Sequence, residues 1–119
     1  VLMARVEASA DEDGLARLKV AGSDLWTPME APAVGKNVRV LIKARDVSLI
    51  LEPAQGTSIL NTLPMVVDEI WEDDRARMVV RLKAGKETLL AAVTRRSVTA
   101  LELAPGQNVF AQVKSLALL

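Results

Sequence analysis

VGKNVRVLIKARDVSLIL (residues 34–51) and PGQNVFAQVKSLALL (residues 105–119) are the stretches on which the fold turns. They align at a constant spacing of 71 residues, with Gly35 on Gly106, Asn37 on Asn108, Val38 on Val109, Ile42 on Val113 and Lys43 on Lys114. Self-similarity at a fixed spacing marks a repeated structural unit. Further back, LARLKVAG (15–22) resembles RMVVRLKAG (77–85), and DEDG (11–14) resembles EDDR (72–75), now about 63 residues apart. The difference assigns about eight additional residues to the second copy, within VTRRSVTALEL (93–103). The chain therefore reads as two tandem modules, residues 1–54 and 55–119.

Each module has the alternation of half-buried strands. Leu2, Ala4, Val6 and Ala8 alternate with polar or larger neighbours, as do Ala16, Leu18 and Val20, and Val38, Val40 and Ile42. The second copy repeats the pattern with Met78, Val80 and Leu82, and with Val109, Ala111 and Val113 set against Phe110, Gln112 and Lys114. Acidic or Gly-containing turns separate these runs. One short helix is expected in TRRSVTALEL (94–103), with Thr94 or Ser97 placed to cap it and APG (104–106) to end it. Short strands with a helix before the last one follow the plan of a small Greek-key barrel. The expected fold is all-β: two tandem OB-like small β-barrels with one short helix in the second.

Composition narrows the function. The chain has 119 residues, half of them apolar and a quarter charged, with 15 basic and 15 acidic side chains. This zero net charge gives no electrostatic pull toward nucleic acid. The aromatic complement is Trp26, Trp71 and Phe110, too sparse for a base-stacking surface, so both tryptophans are read as core or cap residues. The absence of Cys and His removes disulfides, thiolate nucleophiles, Ser-His-Asp triads and most transition-metal sites. The carboxylates cluster in DED (11–13) and EDD (72–74), where solvated turns account for them, so no catalysis is expected from this chain. No apolar run reaches the ~20 residues of a membrane span. Val1 suggests that the natural start lies upstream.

What remains is a set of donors. Lys43 and Lys114 occupy one position of the repeat, each following a strand and preceding a small residue. Thr57, Ser58, Asn61, Thr94 and Ser97 supply hydroxyl and amide groups, which also suit turn and cap duty. Donors without a base or nucleophile fit a small anion bound whole. The linker QGTSILN (55–61) interrupts such donors with Ile59 and Leu60, at least one of which is expected to pack.

TSILN (57–61), AAVTRRSVTALELAPGQNVFAQVKS (91–115) and KARDVSL (43–49) together closely resemble the molybdate/tungstate-binding Mop domain of the TOBE class. More narrowly, the whole chain resembles the C-terminal region of the ATP-binding subunit of molybdate ABC transporters. The resemblance implies a paired di-Mop barrel arrangement with oxyanion sites between modules or subunits. It carries binding roles onto Thr57, Ser58, Leu60, Asn61, Thr94, Ser97, Lys114 and Ser115, with Lys43 as the first-module counterpart of Lys114. The family places an arginine where this chain has Leu60, which removes a forked, permanently charged donor and implies weaker binding unless Lys43, Lys114 or Arg45 compensates.

The resemblance further implies a regulatory domain that senses intracellular molybdate or tungstate, with no cofactor and no resident metal ion. The ATPase domain, and with it any use of ATP, would lie outside this chain. Expected partners are a second copy of the chain and, through the ATPase domain, the transporter's membrane subunit. Neither nucleic acid nor direct membrane insertion is expected, and the location would be the cytoplasmic face of the membrane. Two other readings stand beside it: a free-standing di-Mop carrier or storage protein, and a dimerisation module without ligand.

Overall fold

The computed structural model describes residues 1–28 and 33–119, arranged as two five-stranded antiparallel sheets with one short helix. The strands are β1 (Leu2–Ala8), β2 (Ala16–Val20), β3 (Ser23–Thr27), β4 (Asn37–Leu41), β5 (Val47–Ile50), β6 (Asn61–Glu72), β7 (Arg77–Ala84), β8 (Glu87–Thr94), β9 (Asn108–Val113) and β10 (Ala117–Leu118). Helix α1 (Arg95–Ala100) lies between β8 and β9, and a single 3-10 turn (Ala44–Asp46) precedes β5. The sheet orders are β10-β4-β1-β2-β3 and β5-β9-β6-β7-β8. The second sheet curls so that β8 lies against β5 and the 3-10 turn. The fold is all-β, with two OB-like half-barrels in tandem and the helix in the second.

The repeat read from the sequence reappears bond for bond. In the first sheet Gly35 N–H donates to the Val6 carbonyl (2.8 Å) and Val6 N–H to the Lys36 carbonyl (2.9 Å). In the second, Gly106 N–H donates to Val67 (2.7 Å) and Val67 N–H to Gln107 (2.9 Å). Both glycines sit at φ +90°, a conformation that a side chain makes costly. The ladders break at corresponding places too, between Val6 and Ala8 and between Val67 and Glu69.

The outermost strands break the symmetry of the halves. β5 follows β4 in the chain yet pairs with β9 in the second sheet, Val47 opposite Val113. β10 follows β9 yet pairs with β4 in the first, Ala117 opposite Leu41. Each sheet thus contains a strand from the far side of the residue 54/55 division.

One apolar core fills the space between the curled sheets. The alternating residues named from the sequence enter it: Leu2, Ala4 and Val6 from β1, Leu18 and Val20 from β2, Val80 and Leu82 from β7, Val109, Ala111 and Val113 from β9. Two expectations are corrected. Gln112 does not face solvent: it is buried and its Oε1 accepts from the Ser48 hydroxyl (3.3 Å), because β9 is covered by strands on both edges. Trp71 is neither core nor cap. The bulge in β6 resets the alternation so that Ile70 turns inward, and Trp71 lies exposed with the Arg81 guanidinium 5.8 Å from its ring centre. Trp26 is half-buried on β3.

Candidate functional site

The exchanged strands require two connections to cross between the sheets, and the candidate residues gather there. One runs from β4 to β5 through Ile42, Lys43 and the 3-10 turn; the other runs from β9 to β10 through Lys114, Ser115 and Leu116. They are tied where Lys114 N–H donates to the Asp46 carbonyl (2.9 Å). Lys43 sits immediately before the turn, and its carbonyl accepts from Asp46 N–H (2.9 Å). The two lysines that the repeat superimposes therefore flank one crossing point.

Lys114 is exposed and borders three clefts. The first, of about 370 Å³, gathers Thr94, Ser97, Arg45 and Ser48 around it. The second, of about 330 Å³, holds Ser58, Leu60 and Asn61 beneath Trp26 and Pro28. A smaller one of about 190 Å³ joins Asn61, Lys114 and Ser115. Lys43 and Ser115 line a fourth cleft, of about 350 Å³, on the other side of the 3-10 turn. Eight of the nine candidate residues thus line adjoining clefts, whereas Thr57 lines none of these four.

Local bonding constrains several candidates. Thr57 Oγ1 accepts from Ile59 N–H (3.1 Å), which shapes the linker into a turn. Ile59 is the packing member of its pair, half-buried at the cleft wall, while Leu60 is 61 % exposed. Asn61 is 8 % exposed and opens β6. Its Oδ1 accepts from Trp26 N–H (2.7 Å) and its Nδ2 donates to the Trp26 carbonyl (2.8 Å). The carboxamide acts here as a substitute peptide group on the open edge of β3, joining the two sheets. Thr94 is the α1 N-cap: its hydroxyl oxygen accepts from Ser97 N–H (3.1 Å), and its O–H donates to Ser97 Oγ (2.9 Å).

The local charge around the crossing is net positive, Lys43, Arg45 and Lys114 against Asp46. Among the described residues, Lys43, Arg45 and Lys114 form no ion pair. The carboxylates held below their ordinary range lie elsewhere, Asp68 beside Arg81 and Asp24 beside Lys19, each chiefly through the hydrogen bond from its basic partner. The DED and EDD turns are explained by their own backbones. Asp11 Oδ1 accepts from Asp13 and Leu15 N–H, and Asp74 Oδ1 from Ala76 and Arg77 N–H. Among the described residues no cluster of carboxylates is arranged to hold a metal ion, and no helix is long and apolar enough to cross a membrane. Hydroxyl, amide, ammonium and guanidinium donors around shallow clefts can bind an anion without changing it. Ser48 lies within the KARDVSL motif, yet the sequence assigns it no binding role; the β5 exchange brings it to this cleft.

Two crossed OB-like half-barrels with donors at the crossing define a class, and the chain belongs to it: the TOBE domain family matches residues 57–119, more than half of its length. Curated relatives match almost the whole chain. The molybdenum import ATP-binding protein ModC of Thiobacillus denitrificans is 48% identical over 119 residues, covering 99% of this chain and 33% of that protein. ModC of Aromatoleum aromaticum is 45% identical over 120 residues, covering 100% of this chain and 32% of that protein. The chain thus spans about a third of the length of these relatives. In three dimensions it is similar to the cytoplasmic molybdate-binding protein ModG, crystallised with molybdate bound, with a TM-score of 0.78. That likeness covers 98% of this chain and 92% of ModG at 22% sequence identity, and it establishes the shared fold.

Proposed function

We propose that the chain is an oxyanion-binding regulatory domain of the ATP-binding subunit of a molybdate importer, taking molybdate or tungstate at the crossing of its two connections. The observation that carries this reading is the position of Lys114, unpaired and exposed where three donor-lined clefts adjoin. The ligand class draws on the names of relatives that are 45% and 48% identical. A tetrahedral dianion without protons near neutral pH accepts hydrogen bonds and donates none, so Ser58, Ser97, Ser115, Lys43 and Lys114 are suited to it. Thr94 and Asn61 hold neighbouring backbone in place, and Thr57 and Leu60 contribute through the shape of their loop. The chain itself performs no catalysis on this reading, and the subunit works at the cytoplasmic face of the membrane.

Regulation requires that the anion bind one arrangement of the subunits more tightly than another. In a homodimer, occupied crossings would favour one relative orientation of the attached ATPase domains and so restrain import when molybdate is plentiful. Calorimetric titration with sodium molybdate and with sodium sulfate tests the first step. Heat from molybdate that exceeds that from sulfate is expected; flat traces for both would remove the proposal.

The coverage of 92% of ModG favours one second reading, a free-standing molybdate carrier built from the same two modules. The coding sequence upstream of Val1 separates the two. A GxxxxGK(S/T) phosphate loop there supports the importer subunit, and an initiating Met close by supports the carrier.

A further inference from the structure

We infer that Arg45 is the guanidinium that completes the anion site of this chain, an assignment that rests on the oxyanion-binding reading above. Arg45 lies in the 3-10 turn where the two connections cross. On one side its cleft holds Ser48, Thr94, Ser97 and Lys114; on the other it holds Lys43 and Ser115. Among the described residues, Arg45 and its neighbour Asp46 are the only two that line both clefts. The turn itself is fixed by the Asp46–Lys43 and Lys114–Asp46 backbone bonds, so little backbone ordering is left for a ligand to impose.

Charge makes the case. Lys43, Arg45 and Lys114 are the cations lining these two clefts, and Asp46 is the carboxylate. Arg45 is the one cation that lines both clefts, so it adds a positive charge beside Lys114 on one side and beside Lys43 on the other. Without Arg45 each cleft keeps one lysine against Asp46, with no net positive charge, and the exposed Leu60 adds none in the neighbouring cleft. A guanidinium is also the side chain best shaped to give two parallel N–H donors to one oxyanion. The Arg45 side chain is exposed and engages no protein acceptor among the described residues, so it is available for that role.

The test is titration of sodium molybdate into the wild-type chain and into the Arg45→Gln and Arg45→Lys variants, with thermal midpoints measured in the absence of anion. Arg45→Gln should weaken binding by roughly tenfold to a hundredfold, the effect of losing charge-assisted hydrogen bonds. Arg45→Lys should recover part of the loss, and the anion-free midpoints should coincide. Wild-type affinity in Arg45→Gln would overturn the assignment and leave the oxyanion reading intact. A wild-type chain that takes up no molybdate would remove both.

Discussion

Asn61 shows how one side chain can serve two levels of structure. The sequence marks it as a donor in a binding loop, and the fold gives its carboxamide to Trp26, 35 residues away. No local pattern announces that bond, because it depends on where β3 ends up relative to β6. Asn61→Ala leaves the Trp26 N–H and carbonyl unpaired at a half-buried edge. A loss of about 1–3 kcal/mol is expected, the usual consequence of stranding such groups, and urea denaturation will measure it. Lys114→Ala should behave in the opposite way. Its side chain is exposed and unpaired, so unfolding should be nearly unchanged while molybdate affinity falls. The two variants thus separate a residue that holds the sheets together from one proposed to meet the ligand. If Lys114→Ala binds molybdate as the wild type does, the crossing is not where the anion sits.

At the scale of single elements, helix α1 and the β6–β7 pair carry the most readable physics. The six residues of α1 are too few to be stable alone, so its cap matters. Thr94→Ala removes the bond that Ser97 N–H donates and should cost about 1 kcal/mol, whereas Thr94→Ser should be tolerated. Thermal unfolding of both variants decides this, and equal midpoints would refute the capping role. On β6 and β7, Asp68 accepts from Arg81 Nε (2.7 Å), and this holds its carboxyl below the ordinary value of 3.8. A depressed folded-state value means the unfolded chain takes up the proton first as pH falls. The stabilisation is complete above the ordinary aspartate range and is lost as pH drops through it toward the lowered value. The wild-type melting temperature should therefore fall more steeply than that of Asp68→Asn below about pH 4. Elements of this kind were legible in the sequence: Thr94 as a possible cap, the period-2 strands, and the acidic turns at 11–13 and 72–74. Trp71 was not, because a bulge shifts side-chain parity without changing the pattern that precedes it.

For the whole molecule, the repeat was visible in the sequence and the exchange of β5 and β10 was not. Alternation identifies a strand and says nothing about which sheet receives it, since both edges of β4 and of β9 call for the same kind of neighbour. The exchange has a consequence for cooperativity. Each sheet takes its outermost strand beside β4 or β9 from the other half, and the core is continuous between them. Neither half can unfold without stripping a strand from the other. A single calorimetric transition is expected, with calorimetric and van't Hoff enthalpies in agreement. Two resolved transitions would mean that the halves are independent modules after all. Fragments give a second readout of the same argument. Residues 55–119 alone lack β5, which leaves β9 as an open edge facing the apolar residues that Val47 and Leu49 normally cover. Such an edge invites pairing with another chain. The fragment should populate unfolded or self-associated states by size-exclusion chromatography, whereas residues 43–119, which retain β5, should yield a larger monomeric, folded fraction.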